Sequence, residues 1–255
     1  MIDPAAAILI VLAGAAAGTM NAIVGAGALV TFPILLLLGY PPLVANVSNT
    51  IGIVPGSISG TLGYRRELAG QRRRAIPLLL TGALGGLTGA GLLLVLPASA
   101  FRQIVPLLIL VACALVAVQP RLSRWLGRRR TADSTPTREV GPLLLTTVYL
   151  TGIYGGYFGA AQGVILIALM SIMLVDDLQR LNALKNAIAL VVNAAASVIF
   201  ILVAPVDPVV VVLIATGAIV GGQLGAHVGR RLSPSVLRTV IVAVGSAVAI
   251  RLSLG

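Results

Sequence analysis

The chain has 255 residues, of which 58% are hydrophobic and only 10% are charged, and its mean hydropathy is +1.06. A soluble domain of this length cannot bury so much apolar surface, so these numbers exclude a soluble globular protein and indicate one that spans a lipid bilayer. The net charge of +11 does not point to nucleic acid, because nearly all the arginines lie in short connections between apolar stretches. The single cysteine, Cys113, excludes an intramolecular disulfide.

The first half begins with a hydrophobic hairpin over residues 5–38 that turns at a glycine-containing segment. Three apolar stretches follow, at 43–63, 75–96 and 101–119, and each is long enough to cross a hydrocarbon layer of about 30 Å. The hairpin is shorter than the roughly 40 residues that two full crossings require. It is therefore either strongly tilted or re-entrant, turning inside the membrane.

A segment rich in Arg, Thr, Ser and Pro, residues 120–140, is predicted to be a flexible cytoplasmic linker. After it the pattern of the first half recurs. A second hairpin covers 141–175 and turns at 159–163, and three further spans are predicted at 182–204, 208–229 and 235–253. The chain is thus divided into a first transmembrane repeat (1–119), the linker (120–140) and a second transmembrane repeat (141–255).

Each repeat contributes five membrane elements when a hairpin is counted as two. An odd number forces the second repeat to enter the membrane from the opposite face, which is the arrangement of inverted-repeat transporters. The predicted fold is an all-α polytopic membrane protein. It contains two inverted-topology repeats, each made of a glycine-turned helical hairpin and three transmembrane helices.

The distribution of basic residues predicts the orientation. If the arginine-rich connections are cytoplasmic, 16 of the 18 basic residues lie inside, and only Arg102 and Arg251 lie outside. Both chain ends are then external.

The two glycine turns are candidate anion sites. Gly25 and Gly27 in the first turn, and Gly159 and Gly163 in the second, allow a sharp reversal and a close approach of the backbone. The helix that restarts after such a turn is expected to direct free N–H groups and a positive dipole end at the turn. The alternative is that small residues only let helices pack closely in lipid.

A polar stripe runs along the predicted span 182–204. Asn182, Asn186 and Asn193 fall on one helix face, and their amides can donate hydrogen bonds to the oxygens of an anion without placing a fixed charge in the membrane. The alternative role is hydrogen bonding between helices. The span after the first hairpin opens on a similar polar run, which consists of Asn46, Ser48, Asn49 and Thr50.

Lys185 is the only lysine of the chain. Below the interface a lysine is costly unless it is paired or hydrated, so we expect it to face a cavity and to act as the counter-ion of an anionic substrate. Alternatively, it extends to the cytoplasm and pairs with Asp176 or Asp177.

No Asp or Glu lies in the interior of a predicted span, which argues against a cation carrier and favours an anion. One cysteine and one histidine leave almost nothing from which to build a membrane-embedded active site. We therefore predict no catalytic residue, metal site or cofactor, and no enzymatic activity.

Two runs resemble the TauE/SafE family, the sulfite exporter and toluene-sulfonate permease group. They are NAIVGAGALVTFPILLLLGYPPLVANVSNTIGIVPGSISGTLGYRREL, residues 21–68, and YGGYFGAAQGVILIALMSIMLVDDLQRLNALKNAIALVVN, residues 154–193. The resemblance implies an inner-membrane transporter of small sulfur-containing anions such as sulfite or organosulfonates. The sequence departs from the usual pattern at Ala26, Ala28 and Gln162, where substrate is expected.

The sequence therefore predicts a secondary transporter that moves such an anion by alternating access. Its predicted substrate-binding residues are Gly25, Gly27, Asn46, Ser48, Asn49, Thr50, Gly159, Gln162, Gly163, Asn182, Lys185, Asn186 and Asn193. An anion channel of the same fold and a membrane scaffold without a substrate are the alternatives. The predicted partners are the anion and the bilayer, with no nucleic acid, and a homo-oligomer is left open.

Overall fold

The computed structural model describes residues 2–129 and 140–228, and every regular element in these two ranges is a helix. The all-α architecture is therefore confirmed. The first half contains α1 (Pro4–Ile23), α2 (Ala28–Leu37), α3 (Pro42–Gly63), α4 (Arg65–Leu68), α5 (Arg72–Val95) and α6 (Ala98–Arg129). The second half contains α7 (Pro142–Tyr157), α8 (Gln162–Met173), α9 (Leu178–Val203) and α10 (Pro208–Val228).

Five of the described helices are long and apolar enough to span a membrane, namely α1, α5, α6, α9 and α10. Helix α3 has 22 residues but carries the polar run that begins at Asn46, and it packs against α9 and α10. The predicted spans therefore correspond to helices, except for the span 235–253, which lies outside the described residues.

The hairpins are each made of one longer and one shorter helix. Helix α2 has 10 residues and α8 has 12, which gives lengths of about 15 Å and 18 Å at 1.5 Å per residue. Neither short helix can cross a hydrocarbon layer of about 30 Å. Neither hairpin therefore contains two helices of spanning length, and the re-entrant turn inside the membrane stays a prediction.

The two longer hairpin helices end in the same way. The carbonyl of Met20 accepts hydrogen bonds from the N–H groups of Val24 and Gly25, and that of Tyr154 accepts them from Phe158 and Gly159. Both glycines have a positive φ, 81° and 75°, a conformation that strains any residue with a side chain. The same backbone geometry thus ends α1 and α7 and reverses the chain.

The two turns touch each other. The Gly163 N–H donates to the Gly25 carbonyl oxygen over 3.0 Å, and a Cβ atom added to either glycine would overlap the other residue. The ring of Phe158, in the second turn, makes edge-on contacts with Phe32 and Phe101. The two hairpins therefore meet through backbone atoms, and aromatic rings pack together at the second turn.

Helices are exchanged between the halves. Helix α5 packs against α7 and α9 of the second half, and α10 packs against α1 and α3 of the first. We call α1, α3 and α10 the first bundle, and α5, α7 and α9 the second bundle. This exchange is what a two-fold relation between the halves produces, whereas their insertion from opposite membrane faces stays a prediction.

Glycine residues on α5 and α10 allow each exchanged helix to pack closely against its partner helices. A Cβ at Gly89 of α5 would overlap Ile153 of α7, and a Cβ at Gly221 of α10 would overlap Ala15 of α1. Lipid tails are as apolar as the helices, so the packing that small residues permit is a main source of helix association in membranes.

The linker prediction is wrong in part. Helix α6 continues through residues 120–129, which the sequence analysis assigns to the linker, because the Leu and Arg residues of this segment favour a helix. At 32 residues α6 is about 48 Å long, so its arginine-rich end extends beyond the hydrocarbon layer. The rest of the linker, 130–139, lies outside the described residues.

The contact between the turns can be tested with Gly163→Ala. The added methyl group would collide with the Gly25 backbone, so we expect a loss of about 1–3 kcal/mol of stability, the usual cost of overpacking. The measurement is the thermal unfolding temperature of the purified protein in detergent.

The matched control is Gly91→Ala in α5, where an added Cβ has no atom within 4 Å. It removes a helix-interior glycine without a clash and should leave the unfolding temperature unchanged or slightly raised. Equal unfolding temperatures for both variants would contradict the contact.

Candidate functional site

The carboxyl end of α1 lies inside the protein, where its last carbonyl groups have no helical partner. Three side chains of α9 donate to these groups. Lys185 Nζ lies 3.2 Å from the backbone carbonyl oxygen of Asn21 and 3.4 Å from that of Ala22. The amide nitrogens of Asn186 and Asn182 lie 3.1 Å and 3.3 Å from the same Ala22 oxygen. The polar stripe of α9 thus caps the helix of the other half.

Lys185 is fully buried, and its ammonium group donates to the carbonyl oxygens at this helix end. A cation at the carboxyl end of a helix interacts favourably with the helix dipole. The alternative, that Lys185 extends to the cytoplasm and pairs with a nearby carboxylate, is therefore wrong. Asp176 pairs with Arg74 and Arg180 instead. Lys185 is not among the residues that line the crevice described below, and its role as a counter-ion stays a prediction.

The carboxyl end of α7 is bound in an equivalent way. Asn46 of α3 donates its amide N–H to the carbonyl oxygen of Tyr157, the last residue of α7, over 3.0 Å. Helix α3 therefore caps the hairpin helix of the second half, and α9 caps that of the first. These crossed hydrogen bonds lie next to the contact between the two turns.

A narrow crevice of about 190 Å³, closed to a water-sized sphere, adjoins the end of α1. Its polar side chains are Asn21, Ser57 and Asn186, and the Asn21 amide donates to the Ser57 hydroxyl over 3.0 Å. Asn21 was not among the predicted site residues. Its position four residues before a turn glycine, on a helix that ends inside the membrane, is the sequence feature that could have identified it.

A second group of polar side chains lies by the turn of the other hairpin. Gln162 is almost fully buried, packs against Gly155, and its amide nitrogen has no hydrogen-bond partner. A Cβ at Gly159 would lie 3.9 Å from the Asn193 amide oxygen, so Asn193 borders the same turn. The Ser197 hydroxyl, one helical turn beyond Asn193, is also buried without a partner. A buried donor without a partner is costly and suits a site that binds an acceptor.

The remaining predicted residues have local partners. The Thr31 hydroxyl donates to Asn49, and the Thr50 hydroxyl donates to the Asn46 carbonyl of its own helix. The Ser48 hydroxyl accepts from the N–H of Asp207, at the start of α10. Ser48 thus ties α3 to the loop before α10, Thr50 bonds within α3 itself, and Asn49 borders α2.

The free N–H groups expected at the start of α8 are not present. The Gly163 N–H binds Gly25, the Gln162 N–H binds Gly159 over 3.4 Å, and the next two N–H groups bind Ala161. The prediction of free backbone donors at this turn is therefore wrong. Gly27 packs its Cα close to the Ala17 carbonyl and to Asn21.

Comparison with known proteins identifies the family. The profile of the family described as Sulfite exporter TauE/SafE matches residues 10–252, nearly the whole chain, including both turns and both capping helices. The chain belongs to the TauE/SafE family.

Several curated relatives align with most of this TauE/SafE protein. A probable membrane transporter protein, ORF9, from a Sinorhizobium species is 27% identical over 92% of this chain and 88% of its own length. A probable membrane transporter protein of Haemophilus influenzae is 27% identical over 90% and 87%. The probable membrane transporter protein YfcA of Escherichia coli K12 is 28% identical over 92% and 85%. No solved structure matches the chain.

These comparisons make the TauE/SafE protein a multi-pass membrane transporter. Three positions at which the sequence is predicted to depart from the usual family pattern lie in or next to the two turns. Ala26 is buried in the first turn, Ala28 starts α2, and Gln162 starts α8 with its unpartnered amide. The departures thus lie beside the polar groups described above.

Two buried amides allow a paired test of structural and binding roles. Asn46→Leu removes the donor to the Tyr157 carbonyl and should cost about 1–2 kcal/mol, because that hydrogen bond is formed in the folded protein. Gln162→Met removes an amide that has no donor contact to lose, so it should not lower stability. Thermal unfolding in detergent measures both, and a larger loss for Gln162→Met than for Asn46→Leu would contradict the assignment.

Proposed function

We propose that this TauE/SafE protein is a secondary transporter, not an enzyme, that moves a small sulfur-containing oxyanion of the sulfite or organosulfonate class across the inner membrane. The observation that carries the proposal is that, at the centre of the protein, α9 caps the end of α1 and α3 caps the end of α7. This arrangement gathers amides, hydroxyls and one ammonium group where the two halves meet, which is where transporters built from repeats bind their substrates.

The chemistry of this centre supports an anion. Asn21, Ser57 and Asn186 line the crevice, and the Lys185 ammonium binds the carbonyl groups of its wall. Amides and hydroxyls donate to sulfonate or sulfite oxygens, and an ammonium group balances their charge. The substrate itself comes from the family description and from this donor chemistry.

Alternating access is favoured over an open channel. The turns touch through Gly25 and Gly163, and the crevice admits no water-sized sphere, so a substrate must displace protein contacts in order to pass. Because helices are exchanged between the halves, the units that move are the first and second bundles rather than the two halves. Their contact runs along α3 and α9, the helices that carry the polar stripes.

The proposed orientation has the arginine-rich loops in the cytoplasm and both ends of the chain outside. It is supported by the position of Arg65, Arg66 and Arg72–Arg74 around the short helix α4, since cytoplasmic loops carry an excess of Arg and Lys.

The proposal is tested by flux into proteoliposomes with sulfite, sulfoacetate, taurine and sulfate as separate substrates. Asn186→Ala removes a donor from the crevice, so we expect the transport efficiency for the preferred anion to fall about 10- to 100-fold, the range for a hydrogen bond to a charged group. Gln223→Ala, which removes an exposed amide that binds the Ser59 carbonyl, is the control and should transport normally. Absence of flux for all four anions would refute the proposed substrate. Equal flux in Asn186→Ala and Gln223→Ala would refute the proposed site.

Counterflow separates a carrier from a channel. Proteoliposomes loaded with unlabelled anion should take up labelled anion faster than empty ones, and the initial rate should saturate with concentration. A rate that rises linearly and ignores the internal anion would instead establish a channel.

A further inference from the structure

A second polar cavity lies away from the crevice, where α5 and α9 begin. It has a volume of about 780 Å³, is open on one side, and has walls from both halves of the chain. Three arginines and one aspartate line it, namely Arg73 and Arg74 of α5, Arg180 of α9 and Asp176 of the α8–α9 loop. It shares no lining residue with the crevice of the proposed central site.

The arginines of this cavity are partly neutralised by a single carboxylate. Asp176 accepts from Arg74 and, at 3.0 Å, from Arg180 Nε. Burial raises the pKa of Asp176, but the hydrogen bonds from Arg74, from the Asp177 N–H and from Arg180 outweigh burial and hold that pKa below its usual value. The aspartate is therefore ionised at neutral pH and occupies two of the three guanidinium groups.

The remaining groups keep the arginines in position. Gln71 accepts from Arg74 Nε at 2.9 Å and donates to the Arg180 carbonyl at 3.1 Å, so one amide joins the two arginine-bearing helices. Arg73 forms no ion pair with any described residue, and its side chain faces the cavity. Among the described lining residues, three guanidinium groups with one carboxylate leave an excess of positive charge in a space large enough for a small anion.

The loop at the other end of α9, residues 204–207, carries no basic residue. The α9–α10 loop that precedes α10 reads Ala-Pro-Val-Asp, and its Asp207 carboxylate caps the N–H groups of Val209 and Val210. The arginine cavity is therefore a feature of the α5–α9 end among the described residues.

From these observations we infer that the cavity binds an oxyanion group, such as sulfate, sulfonate or phosphate, which replaces Asp176 as the partner of Arg74 and Arg180. The planar guanidinium fork matches the oxygen spacing of these anions. In the context of the proposed function, on which this role rests, the cavity collects the anion at one mouth of the transport route. An anionic phospholipid headgroup carries the same chemistry, and the experiment distinguishes the two sources.

The test uses the full-length protein with Cys113→Ala and Val175→Cys, because Val175 lines the cavity and is exposed. The rate of modification by N-ethylmaleimide, a neutral reagent, is measured in nanodiscs of phosphatidylcholine as sulfate is added. Sodium chloride at the same ionic strength controls for screening. We expect sulfate, and not chloride, to slow the modification.

Variants then identify the groups that bind. Arg180→Gln should raise the half-protecting sulfate concentration about tenfold, and Asp176→Asn should lower it about tenfold, since it releases two guanidinium groups. Asp177→Asn removes the same charge one residue away, outside the arginine cluster, and should change nothing. Opposite shifts in Arg180→Gln and Asp176→Asn cannot come from a general loss of folding. Equal effects of sulfate and chloride, or unchanged protection in both variants, would overturn the inference.

Lipid composition separates the two sources. If phosphatidylglycerol in the nanodisc slows modification without sulfate and abolishes the sulfate effect, the site holds a lipid headgroup; if sulfate acts equally in both lipids, it holds a free anion. The proposed function fails separately, through absence of flux in wild-type proteoliposomes while sulfate still protects the introduced thiol in the Val175→Cys protein. Normal flux without any protection would overturn the cavity site and leave the transporter intact.

Discussion

Two helices of this protein, α1 and α7, end in its interior, and the rest of the structure follows from that constraint. A helix end leaves carbonyl groups without partners, and in hydrocarbon no water can bind them. The carbonyl groups of Asn21 and Ala22 are satisfied by α9, and that of Tyr157 is satisfied by α3. The polar residues at the centre of an otherwise apolar protein are therefore held there by the backbone of the hairpins.

The same requirement gives the residues of the proposed site a structural role as well. Asn186 binds the Ala22 carbonyl and also lines the crevice, so a substrate that reaches the crevice competes with a helix end for the same donor. Gln162 differs, because its amide nitrogen is buried and bound to nothing. Among the described residues, such a group contributes no hydrogen bond to stability.

The features that were predicted from the sequence depend on local patterns. Apolar length predicted the spans, and Gly25 and Gly159 predicted the turns, because a positive φ at a reversal requires glycine. The polar face of α9 followed from helical periodicity.

The carbonyl partners of Lys185 could not be predicted, since they lie more than 160 positions away in the chain. The exchange of α5 and α10 depends on tertiary packing in the same way, as does the pairing of Asn21 with Ser57. The helical continuation of α6 was missed because Pro120 and the arginines resemble a loop in composition.

The exchange of α5 also has a consequence for how the protein is made. The glycine face of α5 is inserted into the membrane before α7 and α9, its packing partners, have been synthesised. During that interval α5 meets only lipid and the rest of its own half, and its closest backbone contacts, such as Gly89 with Ile153, cannot form. The first half is thus an incomplete folding unit on the ribosome. Its assembly is finished only when α7 and α9 have been inserted, so the biogenesis of the first half depends on the synthesis of the second.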